Sequence, residues 1–435
     1  MQKKLKPHIY MPIEIMVREL NSKVFFSFKA SNKGYRIYLG TKKGIDRLLE
    51  EKKNNVKSGI YFNKSQLVKN RIYMKKIKKT CEHFLVLDEE LGPTIFDPKD
   101  VLKERAIVPS DIDKFFLIGK SMMMNIKKFV PKFFNISKIS GWIKYELYKK
   151  QYLKIFQNDV EDIKKKHKNF YLFSSNFGAL SNEGLNYKIS VGHVEKKTKE
   201  IKFFKRCIND FNNIKKDFNS KSRKLNIVIR PHPSDSLHKD WYNNINQNES
   251  LSIEFKNDII PWIIASKGLI HRGCSTSVDA LLLGKPVYYL KPKRKLLHSE
   301  KDLSYKISHK INALDEILLK RNLRTSNIAH HKVLAKEIHN IRNKDCADII
   351  LKEMKKFKTK NENPIKISFL RNTNSYFRYY VSLFIRLFTK HKGLDFKLSE
   401  KFDKKTIINK IRSLSDSNEI SVREVAFDVF EIDKK

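Results

Sequence analysis

The stretch GLIHRGCSTSVDALLLGKPVYYL, residues 268–290, contains the pattern that decides the fold class. The apolar run Gly268–Ile270 is followed by a polar turn, His271–Ser277. An apolar helical segment, Val278–Leu283, and a second apolar run, Pro286–Leu290, come next. A strand, a helix and a strand in this order are typical of the β-α-β unit of an open parallel α/β sheet.

A second polar segment, Arg230–Pro233, follows the apolar run Leu225–Ile229 in the same way. Ligands of open parallel sheets bind at the carboxyl ends of the strands. Hydroxyl groups and free N–H groups at a helix start suit an anion, and an imidazole between two prolines can pair with a phosphate. We therefore expect a nucleotide's phosphates to be bound by Arg230, His232, His271, Ser275, Thr276 and Ser277.

An alternative interpretation of the hydroxyl groups needs no ligand. Thr276 and Asp279 have the spacing of a capping box, which serves only to begin a helix. Both interpretations remain open at the level of the sequence.

Strands and helices alternate along the rest of the chain. The N-terminal half contains apolar runs separated by helical patterns, and the predicted strands are His8–Ile13, Tyr35–Gly40, Ser58–Phe62, Phe84–Asp88 and Lys114–Gly119. A second α/β unit begins near Asn169, after a basic helical connector over about 143–168. The pattern predicts two Rossmann-like, doubly wound domains that face a cleft, over residues 1–165 and 166–350, and a basic, aromatic and helical tail over 351–435.

Length and composition limit the class of protein. A chain of 435 residues with 40% apolar residues can build two cores. We find no apolar run that could span a bilayer and no signal peptide, and the four cysteines are scattered without metal-site spacing. These features predict a cytoplasmic protein with no structural zinc.

The formal net charge of +43 is spread over the whole chain, with acids interspersed. The charge favours attraction to anionic partners, which include nucleotide sugars, anionic glycans and the inner face of the cytoplasmic membrane. No recognised nucleic-acid module is present, so we expect no specific nucleic-acid partner. The basic aromatic stretches 127–134 and 376–392 could contact such a membrane; the alternative is that they pack on their own domain.

Acidic side chains follow the fourth predicted strand. One carboxyl group of Asp88, Glu89 and Glu90 could keep a raised pKa and exchange protons, although a solvated acidic turn is the alternative. Further candidates are Glu146, and the acceptor-side residues Glu14 and Arg18 after the first strand.

Metal ligands are a separate question. The sequence has one Asp-x-Asp spacing, Asp111–Asp113, in a predicted polar turn before the fifth strand. A helix N-terminus and cationic side chains can stabilise a leaving phosphate without a metal ion. We therefore expect neither a metal nor a cofactor.

Several motifs occur in an order that resembles one family. The segments Met11–Glu14, Gly59–Ser65, Val86–Glu90, Arg230–Pro233 and His271–Pro286 are similar to those of the bacterial surface carbohydrate biosynthesis proteins of O-antigen and capsule gene clusters. The resemblance covers most of residues 8–290. It implies a GT-B glycosyltransferase-like fold with an acceptor-side N-terminal domain and a donor-nucleotide C-terminal domain.

More distantly, the chain is similar to polysialyltransferases and capsular Kdo transferases, which use CMP-activated acidic sugars. This similarity implies that His232, Ser275 and Thr276 hold the donor phosphate and that Glu89 or Glu90 is the catalytic carboxylate. In this chain Leu91 separates the acids from the glycine that follows them in the relatives.

A second difference concerns a Gly-Asn-Pro-Arg-x-Asp-like stretch of many relatives. The corresponding residues here are Gly141–Glu146, so Glu146 would have to replace that acid.

These observations predict a glycosyltransferase of surface polysaccharide biosynthesis that uses a nucleotide sugar, with a CMP-linked acidic sugar as the first candidate, and a glycan or lipid-linked glycan acceptor. Two alternatives remain. One is a polyol-phosphate transferase that uses CDP-glycerol, and the other is a non-catalytic glycan- or nucleotide-binding partner in the same pathway.

Overall fold

A computed structural model of the chain describes most of its residues. They are residues 5–50, 57–65, 67, 70–89, 91–92, 98–105, 109–175, 185–186, 189, 199–221, 225–231, 245, 247–255, 258–291, 303–319, 328–339, 345–365, 373, 376–377, 381, 402–415 and 419–435.

The chain forms two compact units, each with its own sheet. The first unit comprises residues 1–155 and 335–435, and the second comprises residues 156–334. Both units are Rossmann-like, which confirms the predicted α/β class. The prediction had placed residues 335–350 with the second domain and residues 351–435 in a separate tail, whereas both segments belong to the first unit.

The sheet of the first unit has eight strands in the order β13-β14-β2-β1-β3-β4-β5-β6. All neighbours from β2 to β6 are parallel. The strands are β1 (His8–Ile13), β2 (Arg36–Thr41), β3 (Ile60–Asn63), β4 (His83–Leu87), β5 (Lys114–Leu117), β6 (Ser137–Ile139), β13 (Ile420–Ala426) and β14 (Val429–Lys434).

Helices cover both faces of this sheet. The helices are α1 (Met16–Asn32), α2 (Lys42–Glu50), α3 (Arg71–Thr80), α4 (Pro98–Arg105), α5 (Lys120–Phe129), α6 (Ile143–Glu146), α14 (Cys346–Met354) and α15 (Lys404–Leu414). Apolar side chains of α2 to α5 form one core cluster with β1 to β5, whereas α1 packs on the other face through Phe26, whose ring centroid is 5.1 Å from that of Phe62. The helices α14 and α15 pack on α1. Among the described residues, no helix is long and apolar enough to cross a bilayer.

The strands β13 and β14 form a hairpin, which the sequence prediction of a helical tail missed. They flank a two-residue turn in which Asp428 has a φ of 59°, a left-handed conformation that aspartate tolerates. The strand β14 pairs antiparallel with β2, and Arg36 of β2 donates hydrogen bonds to Asp433 at 3.0 and 3.1 Å. Five of the six residues of β14 are buried, so this strand is an integral part of the sheet and not an exposed tail.

The sheet of the second unit has six parallel strands in the order β12-β11-β10-β7-β8-β9. They are β7 (Tyr171–Ser174), β8 (Ile227–Arg230), β9 (Leu251–Ile253), β10 (Leu269–His271), β11 (Val287–Leu290) and β12 (His309–Ile311). The helices described are α7 (Gln157–Lys166), α8 (Lys199–Lys221), α9 (Ile259–Ala265), α10 (Thr276–Leu282), α11 (Leu303–Lys306), α12 (Glu316–Leu319) and, across the boundary to the first unit, α13 (Ile328–Glu337).

Other boundaries agree closely with the sequence prediction. The first strand is confirmed at both ends, and the Thr41 hydroxyl caps α2 by accepting a hydrogen bond from the Gly44 N–H at 3.1 Å. The connector predicted over 143–168 is not one helix, because a 3-10 segment, Lys150–Phe156, separates α6 from α7.

Candidate functional site

The candidate catalytic region of the first unit lies at the carboxyl ends of three neighbouring strands. The strands β1, β3 and β4 are parallel and end at Ile13, Asn63 and Leu87. Loops that follow adjacent parallel strands leave the sheet at one edge. Lys64 and Glu89 therefore lie close to the start of α1.

Glu19, in the first turn of α1, is the centre of a buried cluster of charges. Its side chain is 1% exposed, and its carboxylate accepts hydrogen bonds from the N–H groups of Glu14 at 3.2 Å and Ile15 at 2.8 Å. The ammonium groups of Lys23 and Lys64 donate to it at 2.7 and 2.9 Å. Burial raises the pKa of Glu19, but the two lysines outweigh burial and the pKa is lowered. Glu19 is therefore a fixed anion at neutral pH.

Lys64 joins this cluster to Glu14. Its ammonium nitrogen lies 3.0 Å from Glu14, whose other carboxylate oxygen is 3.3 Å from Lys42. Burial lowers the pKa of Lys64, but Glu19 and Glu14 outweigh this effect and raise it, so Lys64 stays charged. Of the two predicted acceptor-side residues, Glu14 thus belongs to the cluster, and Arg18 is exposed on the first turn of α1.

Glu89 is the predicted catalytic residue that reaches this cluster. Its N–H donates to the Lys64 carbonyl at 2.8 Å, and its side chain is partly exposed. Removal from water and the negative charge of Glu19 raise the pKa of Glu89 to about 7. Lys23, Lys64 and the Trp142 indole limit the rise. A carboxyl group with this pKa can take up or release a proton near neutral pH.

Trp142 forms one side of the Glu89 loop. A Cβ atom placed on Gly92 would lie 3.5 Å from the Trp142 ring, so the indole packs directly against this loop. The indole is close enough to Glu89 for its Nε1–H to hydrogen-bond the carboxylate, and this contact lowers the pKa of the carboxyl group.

The other two acids of the turn are Asp88 and Glu90. Asp88 is 4% exposed, and its carboxylate accepts hydrogen bonds from Arg105 Nε at 2.9 Å and from the Leu91 N–H at 3.2 Å. These contacts hold the turn, so Asp88 is structural. Glu90 lies outside the described residues.

Glu146 is the last residue of α6 and lies in the interior of the first unit. Its side chain is 3% exposed, and its carboxylate accepts a hydrogen bond at 2.8 Å from the Ala347 N–H, in the first turn of α14. Burial raises the pKa of Glu146 to about 7, and the hydrogen bond from Ala347 partly offsets the rise. One oxygen of the Glu146 carboxylate is thus used to begin a helix, and a catalytic role for Glu146 stays a prediction.

In the second unit, Arg230 ends β8. Its Nη1 donates to the Glu254 carbonyl at 2.7 Å, and its guanidinium carbon lies 5.4 Å from the centre of the Trp262 ring. Arg230 is 7% exposed and so links β8 to the segment after β9. His232, two residues further on, lies outside the described residues.

His271 ends β10 and is completely buried. Its Nδ1 accepts hydrogen bonds from the N–H groups of Gly273 at 3.0 Å and Cys274 at 3.2 Å, so its other nitrogen carries the proton and donates to Ser308 Oγ at 2.9 Å. Burial lowers the pKa of His271 to about 3. The expectation that His271 binds phosphate is corrected, because a neutral ring with both nitrogens engaged shapes the loop instead.

The hydroxyl groups at the start of α10 are placed differently. Ser275 is the N-cap residue and is exposed, and its side chain makes no capping hydrogen bond. The predicted capping box of Thr276 and Asp279 is not formed, because Thr276 Oγ1 has no hydrogen-bond partner. The hydroxyl oxygens of Thr276 and Ser277 are buried and have no hydrogen-bond partner. Two hydroxyls without a partner can donate to the oxygens of an anion.

Within the part of the chain that the structure describes, no three His, Cys, Asp or Glu side chains are grouped so that they could hold a metal ion. Transfer without a metal ion and without a cofactor stays a prediction.

Comparisons with known proteins identify the fold. No protein-family model matches the sequence, and no curated protein matches it. The UDP-GlcNAc 2-epimerase of Methanocaldococcus jannaschii, solved with UDP-GlcNAc and UDP, has a TM-score of 0.50 at 11% identity; the match covers 81% of this chain and 100% of that one.

Two further solved structures are similar over comparable lengths. The UDP-N-acetylglucosamine 2-epimerase of Rickettsia bellii has a TM-score of 0.48 at 12% identity, with 81% of this chain and 97% of that one covered. The wall teichoic acid polymerase TagF, in a structure with CDPG, has a TM-score of 0.47 at 12% identity, with 80% and 88% covered. At these identities the similarity shows the fold alone, and the fold is GT-B-like, with two parallel-sheet Rossmann-like domains.

Sequence reasoning missed the residues that surround Glu89. The signals were present: Glu19 and Lys23 have the i, i+4 spacing of a helical ion pair, and Lys64 follows a strand directly. Trp142 carried no signal of its own, because its position depends on how the loop after β6 folds back on the loop after β4.

Proposed function

We propose that this protein is a glycosyltransferase of bacterial surface polysaccharide biosynthesis, which transfers a sugar from a nucleotide donor to a glycan acceptor. The observation that carries the proposal is Glu89, a carboxyl group with a pKa of about 7 at the carboxyl edge of a parallel sheet. The GT-B-like fold and the ordered motifs that resemble surface carbohydrate biosynthesis proteins support it.

Glu89 acts as the general base in this proposal. An acceptor hydroxyl gives its proton to the Glu89 carboxylate while its oxygen forms a bond to the anomeric carbon of the sugar. The bond between that carbon and the donor's phosphate oxygen breaks, and the nucleotide leaves with the electron pair. Glu19 raises the pKa of Glu89, and Lys23, Lys64 and the Trp142 indole limit the rise, so the pKa stays near the working pH.

The second unit binds the donor in this proposal. The hydroxyls of Thr276 and Ser277, which have no hydrogen-bond partner in the free protein, donate to phosphate oxygens in this proposal. His232 is retained as a proposed phosphate ligand on the basis of the Arg230–Pro233 motif. A CMP-linked acidic sugar is the first donor to test, since the distant resemblance is to enzymes that use such donors.

Thermal stabilisation by nucleotides tests the donor assignment. A ligand that binds only the native state raises the melting temperature. We expect CMP to stabilise the protein with or without Mg²⁺, and UDP and GDP to have smaller effects. Ser277→Ala should weaken the CMP shift. Stabilisation by no nucleotide would contradict the donor assignment and favour a glycan-binding partner without catalysis.

Turnover of CMP-linked sugars tests the catalytic assignment. General-base catalysis contributes about 10²–10⁴ in rate, so Glu89→Gln should lower turnover by about that factor and leave the CMP shift unchanged. Glu104→Gln is a suitable control because the Glu104 carboxylate is exposed. Asp88→Asn is not, because Asp88 is buried and paired with Arg105. Turnover of CDP-glycerol but of no CMP-linked sugar would show a polyol-phosphate transferase and contradict the sugar assignment.

A further inference from the structure

One face of the first unit combines exposed apolar side chains with lysines. Among the described residues, Ile72 of α3 is 85% exposed, Met124 of α5 is 65% exposed and Phe134 after α5 is 40% exposed. Large apolar side chains are seldom so exposed without a function when they lie together on one face.

The helices α3 and α5 lie on the same face of the sheet. Met74 and Ile77 of α3 and Met122 and Ile126 of α5 belong to one core cluster, and α4 lies between the two helices in the chain and contacts α5. The side chains on the outer surface of α3 and α5 therefore point away from the same layer. We call these side chains, with Phe134, the α3/α5 surface.

Lysine is the main charged residue of the α3/α5 surface. Neither α3 (RIYMKKIKKT) nor α5 (KSMMMNIKKF) contains an acidic residue, although Arg71, Lys76 and Lys78 of α3 pair with Asp111, Glu50 and Asp113 of neighbouring segments. Other exposed lysines of this surface are Lys75, Lys79, Lys120, Lys127 and Lys132. The Lys127 ammonium group lies 5.7 Å from the centre of the Phe134 ring, so cationic and apolar groups are interleaved.

The opposite face of the same unit is built differently. There α14 and α15 cover α1, and Lys29 of α1 is 2.8 Å from Asp348 and 3.3 Å from Asp345. Lys352, Lys404 and Lys405 are exposed on α14 and α15, so this face supplies lysines for a matched comparison.

We infer that the α3/α5 surface docks on an anionic lipid bilayer. Lysines near such a surface are attracted to the lipid phosphates, and apolar side chains that project among them enter the boundary between head groups and acyl chains. Two of the three exposed apolar side chains, Ile72 and Met124, favour this occupant over a nucleic acid, because neither can stack on a base as Phe134 could. The inference does not depend on the proposed function, since binding to vesicles requires neither a nucleotide nor turnover.

Co-sedimentation of the full chain with vesicles tests the inference. The probes are vesicles of phosphatidylcholine with phosphatidylglycerol and vesicles of phosphatidylcholine alone. We expect binding only when phosphatidylglycerol is present. The variant Lys75→Gln/Lys79→Gln/Lys132→Gln should reduce the partition coefficient roughly a hundredfold, because each lysine near an anionic surface contributes about a factor of five.

A matched control distinguishes an effect of the α3/α5 surface from an effect of net charge. Lys352→Gln/Lys404→Gln/Lys405→Gln removes the same charge from exposed positions of α14 and α15. This variant should bind anionic vesicles nearly as well as the unchanged protein. An equal loss in both triple variants would overturn the assignment to the α3/α5 surface.

Apolar insertion is tested by Ile72→Ser/Met124→Ser, which changes two exposed positions and leaves the core intact. We expect about a tenfold weaker partition and a steeper dependence on salt, because charge alone would then hold the protein. Unchanged partition would overturn the insertion. Binding of an RNA oligomer that depends on the same lysines, without binding to either type of vesicle, would overturn the choice of a bilayer.

Discussion

The carboxyl edges of the two sheets differ in their electrostatics, since one buries charged groups and the other buries neutral ones. In the first unit, Glu19 is buried as an anion between two lysines, and this cluster leaves Glu89 with a raised pKa. In the second unit, His271 is buried in its neutral form and the hydroxyls at the start of α10 are unsatisfied. The first edge is suited to moving a proton, and the second is suited to holding an anion by hydrogen bonds.

The difference shows why buried ionisable residues near a site need not be catalytic. Glu19 and His271 are buried ionisable groups at the two edges, and their contacts hold neighbouring groups in place. The groups left for chemistry are those beside them, Glu89 in one unit and Ser277 in the other. Substitutions that remove one part of this arrangement at a time test it.

The largest effect is expected from Lys64→Met. The change removes one of the two cations that neutralise the buried Glu19, and breaking a buried ion pair costs about 3–5 kcal/mol of unfolding free energy. Denaturant unfolding measures the loss. Lys42→Met is the matched control: Lys42 contacts the half-exposed Glu14 at the rim, so it should cost at most about 1 kcal/mol. Equal losses in the two variants would show that Glu19 does not depend on Lys64.

The pH dependence of stability tests the neutral state of His271. Its folded-state pKa of about 3 lies below the value near 6.5 expected when unfolded, so the unfolded chain takes up a proton that the folded protein does not. Stability from this residue is complete above pH 6.5 and is lost as the pH falls, by about 1.4 kcal/mol for each pH unit. His271→Asn should remove this part of the slope. The same slope in both proteins would contradict a buried neutral imidazole.

The smallest effect on folding is expected from Ser277→Ala. Its hydroxyl has no partner in the free protein, so unfolding free energy should change by less than about 0.5 kcal/mol, whereas CMP affinity should fall about tenfold. Ser308→Ala is the contrasting variant, because it leaves the buried His271 N–H unsatisfied and should cost about 1–3 kcal/mol. A large loss of stability in Ser277→Ala would mean that its hydroxyl is already used in the fold.

The sequence predicts much of the fold because long apolar strands and amphipathic helices carry local signals. The strand His8–Ile13 is correct at both ends for this reason. Three-residue strands such as Ser137–Ile139 escape detection, since so short a segment has no measurable period. The hairpin β13-β14 was missed although its alternation is visible, because the preceding basic stretch favours a helical tail.

The candidate site is less predictable than the fold. Glu89 could be selected from its place after a strand, but its raised pKa depends on Glu19 and Lys64, which the sheet topology brings together from distant parts of the chain. Glu146 could not be assigned from the sequence either, because its partner is the N–H of Ala347, 201 residues away. Spacing along a chain identifies elements, whereas electrostatics depends on which elements become neighbours.

The pKa of Glu89 is the most direct test of the account. It can be measured by NMR of the protein with ¹³C-labelled glutamate carboxyl groups, and the Glu89 signal is the one that is lost in Glu89→Gln. The account predicts titration near pH 7, together with a further rise in Lys64→Met, since Lys64 lowers this pKa. Titration near the ordinary value of about 4.5, unchanged in Lys64→Met, would contradict the assignment of Glu89 as the general base.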